Sequence, residues 1–222
     1  MKSENIILFI AAFAALSALL SAGFTYYSAS SFKEGMITGL ASQTNGTVNL
    51  TVDTLLSVIF TASSMNFGSG SVDAGSTHAN VSSGVLAVGG SWFYPGASGF
   101  GVRNDGTVNA TLNLKTGKNA TQLLGGTSPA YQFKVANSEA NSCLNNTGGT
   151  TAGGTGGLIT LGTFFDVNTT DLGTPICGIF NFIDSADSIE IDVFFTIPYD
   201  SLQGNLTDTF SLAYCLAPGP CT

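Results

Sequence analysis

Ile189-Glu190-Ile191-Asp192-Val193-Phe194-Phe195-Thr196-Ile197 is the stretch from which the architecture can be read. In an extended chain Ile189, Ile191 and Val193 fall on one side and Glu190 and Asp192 on the other. That is the period-2 pattern of a half-buried strand. Thr47-Val48-Asn49-Leu50-Thr51-Val52 alternates in the same way, with Val48, Leu50 and Val52 sharing a face. Comparable runs span residues 56–62, 84–88, 100–103, 107–114, 131–135, 158–165, 178–183 and 208–214. Turn chemistry separates them at Asp105-Gly106, Gly125-Gly126, Pro198 and Gly204. Asp105-Gly106 predicts a type I′ hairpin joining residues 100–103 to 107–114. About ten short strands with no helix after residue 42 predict an all-β fold. The expected form is a single β-sandwich, jelly-roll or Greek-key and Ig-like, preceded by an N-terminal apolar α-helix.

That helix is expected within residues 1–34. Residues 5–32 carry no charge, and residues 6–23 are almost wholly apolar. As a helix the uncharged stretch would run about 42 Å, enough to cross a hydrocarbon layer of about 30 Å. It reads equally as a cleaved secretory signal, a membrane anchor or a filament-core helix. Each alternative places the remainder outside the cell: a linker and candidate strand over residues 35–54, then the sandwich over 55–222.

Composition narrows the function classes. Charged residues make up 9% of the 222, far below the usual quarter, and the net charge is −8. Nucleic-acid binding, which needs clustered Lys and Arg, is excluded. Residues 35–134 hold three acids and four bases, whereas residues 135–222 hold nine acids and no base. The asymmetry suggests head-to-tail contacts between unlike ends of identical subunits.

Four cysteines, Cys143, Cys177, Cys215 and Cys221, all lie in the last eighty residues. Three pairings can be drawn. The two prolines and glycine in Cys215-Leu216-Ala217-Pro218-Gly219-Pro220-Cys221 suit a tight terminal loop, favouring Cys215–Cys221 and therefore Cys143–Cys177. Asn-x-Ser/Thr sequons at Asn45, Asn49, Asn80, Asn109, Asn119, Asn145, Asn168 and Asn205 suit a surface protein carrying N-glycans. The glycine-rich residues 148–157 read as a loop.

No catalytic constellation is visible, so an enzyme is not expected. His78 is the only histidine, and no GxSxG elbow exists. Asp184, Asp187, Glu190 and Asp192 form the densest carboxylate group, a weak candidate for Ca²⁺. No aromatic cleft is evident around it, and no other cofactor is implied. One internal echo stands out. Gly46-Thr47-Val48-Asn49-Leu50-Thr51-Val52 matches Gly106-Thr107-Val108-Asn109-Ala110-Thr111-Leu112 at five of seven positions. A strand of domain type directly after the apolar segment could complete a neighbour's sheet edge. Thr47, Val48, Leu50, Val52 and Asp53 are its candidate residues.

Met65-Asn66-Phe67-Gly68-Ser69-Gly70-Ser71-Val72 and Val102-Arg103-Asn104-Asp105-Gly106-Thr107-Val108-Asn109-Ala110-Thr111-Leu112 resemble a pattern in small archaeal surface β-sandwich proteins. Leu124-Gly125-Gly126-Thr127-Ser128-Pro129 and Ile197-Pro198-Tyr199-Asp200 fit it too. The whole layout is similar to TasA-like (camelysin-type) fibre subunits and archaeal bundling pilins. That resemblance implies polymerisation by passing an N-terminal strand to the neighbour, here residues 47–53. An apolar helix flowing into a β domain, with Glu4 before it, is similar also to archaeal type IV pilins and archaellins, which implies a helical filament core. Both lead to the expectation of an extracellular, cell-surface homopolymer, held to the membrane by its helix if that is not cleaved. The alternative is a membrane-anchored monomeric adhesion or carbohydrate-binding module.

Overall fold

The alternation at residue 189 becomes the central strand of the molecule. The computed structural model describes residues 49–92, 98–144, 159–219 and 221. Residues 1–48, including the expected apolar helix, and the glycine-rich residues 148–157 lie outside them. Among the described residues no helix is long and apolar enough to cross a membrane. The strands are β1 (Val58–Ala62), β2 (His78–Ser82), β3 (Val85–Val88), β4 (Phe100–Asn104), β5 (Ala110–Thr116), β6 (Ala130–Asn137), β7 (Cys143–Leu144), β8 (Phe164–Asp166), β9 (Thr174–Phe180), β10 (Ser188–Pro198) and β11 (Phe210–Leu216). Among the described residues one short helix, α1 (Ala120–Leu124), sits between β5 and β6.

These strands form two antiparallel sheets, one of seven strands and one of four in the order β11-β5-β9-β7. Along one edge β10 pairs with β6 from Ile189↔Asn137 to Thr196↔Ala130. Its other edge is shared end to end, by β4 near Ser188–Ile191 and by β2 near Phe194–Pro198. β1 then extends β4, β3 extends β2, and β8 extends β6. Ile189, Ile191 and Val193 are buried as their parity requires. The first two meet Val102, Phe133 and Val135 of their own sheet and Leu112, Leu114, Ile176 and Phe180 of the other. Two sheets burying facing side chains in one core make the fold β-sandwich-like. Each large apolar side chain removed from water there contributes about 1.5–3 kcal/mol. A second core, around Val81, Leu123, Leu124, Tyr131, Val193 and Ile197, fills the space beyond β10's other end.

Several expectations are corrected. Asp105-Gly106 does not make a hairpin: β4 belongs to the larger sheet and β5 to the smaller. Val102 and Leu112 bury into one core from opposite layers, so residues 105–109 must cross between sheets. Buried Asn104 shapes the crossing. Its Nδ2 donates to the Val108 and Phe180 carbonyls at 3.0 and 3.1 Å, and its Oδ1 accepts from Gly106 N–H. Asn104→Ala removes two hydrogen bonds to carbonyls and the one from Gly106 N–H, so we expect a loss of about 2–3 kcal/mol in chemical denaturation. A change below about 0.5 kcal/mol, the range of an ordinary surface substitution, would count against this role.

Residues 49–57 carry no strand, although residues 47–52 alternate. The strand expected at 158–165 reduces to Phe164–Asp166, and the one at 178–183 runs earlier, at Thr174–Phe180. β2 and β7 lacked a sequence signal. The helix α1 stands where no helix was expected after residue 42; Asn119 and Gln122 form its reciprocal capping box, Asn119 Oδ1 accepting from Gln122 N–H and Gln122 Oε1 from Asn119 N–H. At the β2–β3 turn Gly84 takes a φ of +72°, a conformation that favours glycine. The neighbouring Ser83 hydroxyl donates to Asp192 at 2.6 Å, binding the turn to β10.

Candidate functional site

The four candidate calcium carboxylates share a neighbourhood in sequence but not a focus in space. Glu190 and Asp192 do lie on one face of β10, yet Glu190 accepts from Gly99 N–H at 2.9 Å. Asp192 accepts from Ser83 and pairs with Lys134 at 3.0 Å, whose ammonium lies 5.1 Å from the Phe164 ring centre. Buried Asp187 accepts from the Ser188 hydroxyl, and its N–H donates to Glu139. Asp184 is exposed. Among the described residues no three acidic, His or Cys side chains converge on a metal position. Asp187, Glu190 and Asp192 thus each accept a hydrogen bond from a different donor. His78 is exposed, its Nδ1 3.0 Å from the Thr77 hydroxyl.

The charge asymmetry is likewise redistributed by the fold. β4 and β5, with Arg103 and Lys115, lie beside β10, β9 and β11 from the acidic half. The Lys134–Asp192 ion pair joins the two halves directly.

Both favoured disulfides are present. Cys143–Cys177 joins β7 to β9 with Cα atoms 5.6 Å apart, and Cys215–Cys221 closes the terminal loop at 5.3 Å. Two cystines fit an oxidising, extracellular environment. Of the sequons, Asn49, Asn119 and Asn205 are exposed. Asn80, Asn109 and Asn168 are half-buried. Asn80 Oδ1 accepts from Thr196, Asn168 Oδ1 accepts from Thr170 N–H, and Asn109 Oδ1 is buried without a partner. Asn45 and Asn145 lie outside the described residues.

Two surfaces remain that the strands position but do not fill. The first is apolar and peripheral. β3 ends the path of the larger sheet, and Val85, Leu86 and Val88 on it are 61%, 74% and 67% exposed. Of the candidate assembly residues, Leu50 and Val52 are 83% and 80% exposed, and Asp53 is exposed too. Thr47 and Val48 fall outside the described part.

The second surface is a cavity of about 740 Å³ on the second core. Sequence reading found no aromatic cleft, yet Phe67, Trp92, Phe100, Tyr131, Phe195 and Phe210 line this one. They come from loops and strands spread over more than 140 positions, so no local motif announces it. Tyr131 stacks on Phe195 at 4.9 Å and 24°, and Phe67 meets Phe195 edge-on at 5.1 Å. The Tyr131 hydroxyl donates to Asp208 at 3.1 Å. Burial first, and then the Asp208 carboxylate, push this hydroxyl far above its ordinary value near 10. It is therefore a hydrogen-bonding group and a very weak acid.

The sign of its pH dependence follows. Above about pH 10 the unfolded chain releases the tyrosine proton while the folded chain retains it, so stability is full below that pH and falls as pH rises. Tyr131→Phe should flatten the alkaline part of the denaturation-midpoint profile relative to the parent. Parallel profiles for the two would contradict the burial of the hydroxyl. No protein-family model matches the chain, and no curated protein or solved structure does either.

Proposed function

We propose that this chain is a non-catalytic structural subunit of an extracellular filament or surface coat. Its domain is a jelly-roll or Greek-key sandwich over residues 55–222, and residues 35–54 link it to the apolar helix of residues 1–34. Copies join when residues 47–53 of one add a strand to the sheet edge of the next, and β3 is the edge they suit. The helix serves as secretory signal, membrane anchor or filament core according to its processing.

One comparison carries this reading. The two echoed heptapeptides place Leu50 opposite Ala110 and Val52 opposite Leu112. Inside the smaller sheet Ala110 and Leu112 are fully buried, whereas Leu50 and Val52 are four-fifths exposed. The described part of the first copy, residues 49–52, thus has the pattern of a core strand but lies in neither sheet. A second chain supplies one, and β3, at the end of the larger sheet's path, offers exposed Leu86 and Val88. Donor and acceptor are different patches, so the contact is head-to-tail and extends indefinitely unless it closes a ring.

Negative-stain electron microscopy of the full chain, over a series of concentrations and salt levels, tests this. Regular fibres or a lattice are expected, and a closed monomer under every condition would overturn it. The aromatic cavity favours a second reading, a membrane-anchored adhesion or carbohydrate-binding module, for which monomers binding a glycan array is the distinguishing result.

A further inference from the structure

The cavity and one sequon share a wall. Asn205 lines the aromatic cavity, its side chain is exposed, and Asn205-Leu206-Thr207 is a complete acceptor motif. From these observations we infer that the cavity holds the chain's own N-glycan, linked at Asn205 and seated against Trp92. The inference rests on the export proposed above but not on strand donation.

Three features support it. The volume lies within the roughly 300–1,000 Å³ of small-molecule sites. Trp92 on this lining is only half-buried, so part of its indole is exposed. Pyranose rings present flat C–H faces that cover such aromatics, while their hydroxyls meet polar groups such as Ser71, Gln203 and Asp208 on the same lining. Tethering supplies the rest. A ligand attached at the rim has an effective concentration on the order of millimolar, so a sugar contact of about millimolar Kd is already substantially occupied. A free sugar of that affinity would rarely bind. Asn119 offers the internal contrast: it is an exposed sequon on the N-cap of α1 and is not part of this lining.

Trp92 is the only tryptophan in the chain, so its fluorescence reports the cavity alone. The experiment uses the full chain isolated with its native glycans, glycopeptide mass spectrometry, and the variants Asn205→Gln, Thr207→Ala and Asn119→Gln. Thr207→Ala removes the acceptor motif by a second route and keeps the Thr207 carbonyl that accepts from Lys118. The expected result is sugar at Asn205, with red-shifted Trp92 emission and increased iodide quenching in both cavity variants and neither change in Asn119→Gln. Sugar elsewhere but not at Asn205 overturns this inference alone; sugar nowhere removes the glycosylated-surface reading as well. Unchanged Trp92 emission in Asn205→Gln and Thr207→Ala, or an equal shift in Asn119→Gln, also overturns it.

Discussion

Leu50→Asp combined with Val52→Asp is expected to leave the β domain folded at an unchanged melting temperature and to abolish assembly. Both side chains are four-fifths exposed, so replacing them costs the isolated domain little. In the proposed contact each would be buried on the neighbour, at about 1.5–3 kcal/mol apiece. Losing both weakens association by about 10²–10⁴-fold, before any penalty for placing carboxylates in an apolar interface. The partner experiment places lysine on the acceptor, Leu86→Lys, because a charge on an edge strand opposes a further strand. Leu86 is three-quarters exposed, and the variant domain should fold normally. Each variant alone is unable to polymerise. Mixed in equal amounts, they should form a heterodimer and stop, since the lysine variant still donates and the aspartate variant still accepts. Fibres from the aspartate variant remove strand donation and leave helix packing as the route. Fibres from the lysine variant alone move the acceptor away from β3.

How far the sequence foretold the molecule depends on whether the signal was local. Ile189, Ile191 and Val193 announced their face because side-chain direction in a strand is set by parity alone. The cystine between Cys215 and Cys221 was similarly readable from the tight loop between them. Asp105-Gly106 misled because turn chemistry is local, whereas sheet membership is decided by where Val102 and Leu112 bury. Residues 49–52 show the converse: they continue an alternating pattern yet carry no strand, because alternation by itself supplies no partner edge. The carboxylates near Asp187 clustered along the chain, but alternation and turns sent Asp187, Glu190 and Asp192 toward different donors. The cavity was illegible for the opposite reason. Its walls, from Phe67 to Phe210, are brought together only when β10 shares one edge between β4 and β2.

The largest effect on the domain itself is expected from the cystine that bridges the smaller sheet. Cys143–Cys177 spans 34 residues and Cys215–Cys221 only 6. A cross-link stabilises mainly by restricting the unfolded chain, and the restriction grows with the logarithm of the loop it closes. The chain-entropy relation gives about 4 kcal/mol for the long loop and about 2 kcal/mol for the short one. Local structure widens the gap. β7 is a two-residue strand on the edge of β9, and besides its pairing with β9 it is held by Asn137, which accepts from Cys143 N–H. Without the covalent link, an edge strand paired on one side only has fewer ladder bonds to offset its ordering entropy than an interior one. Cys143→Ala with Cys177→Ala should therefore lower stability about twice as much as Cys215→Ala with Cys221→Ala. Alanine is the proper replacement because Cys143 and Cys177 are buried and a hydroxyl there would add an unpaired polar group. Under native conditions dithiothreitol should reduce the half-buried Cys215–Cys221 first, and Cys143–Cys177 only as the sheet opens, so reduction of the second cystine should accelerate steeply with denaturant. Equal losses for the two alanine pairs, or reduction of Cys143–Cys177 at a rate indifferent to denaturant, would mean that the cystine does not staple the sheet.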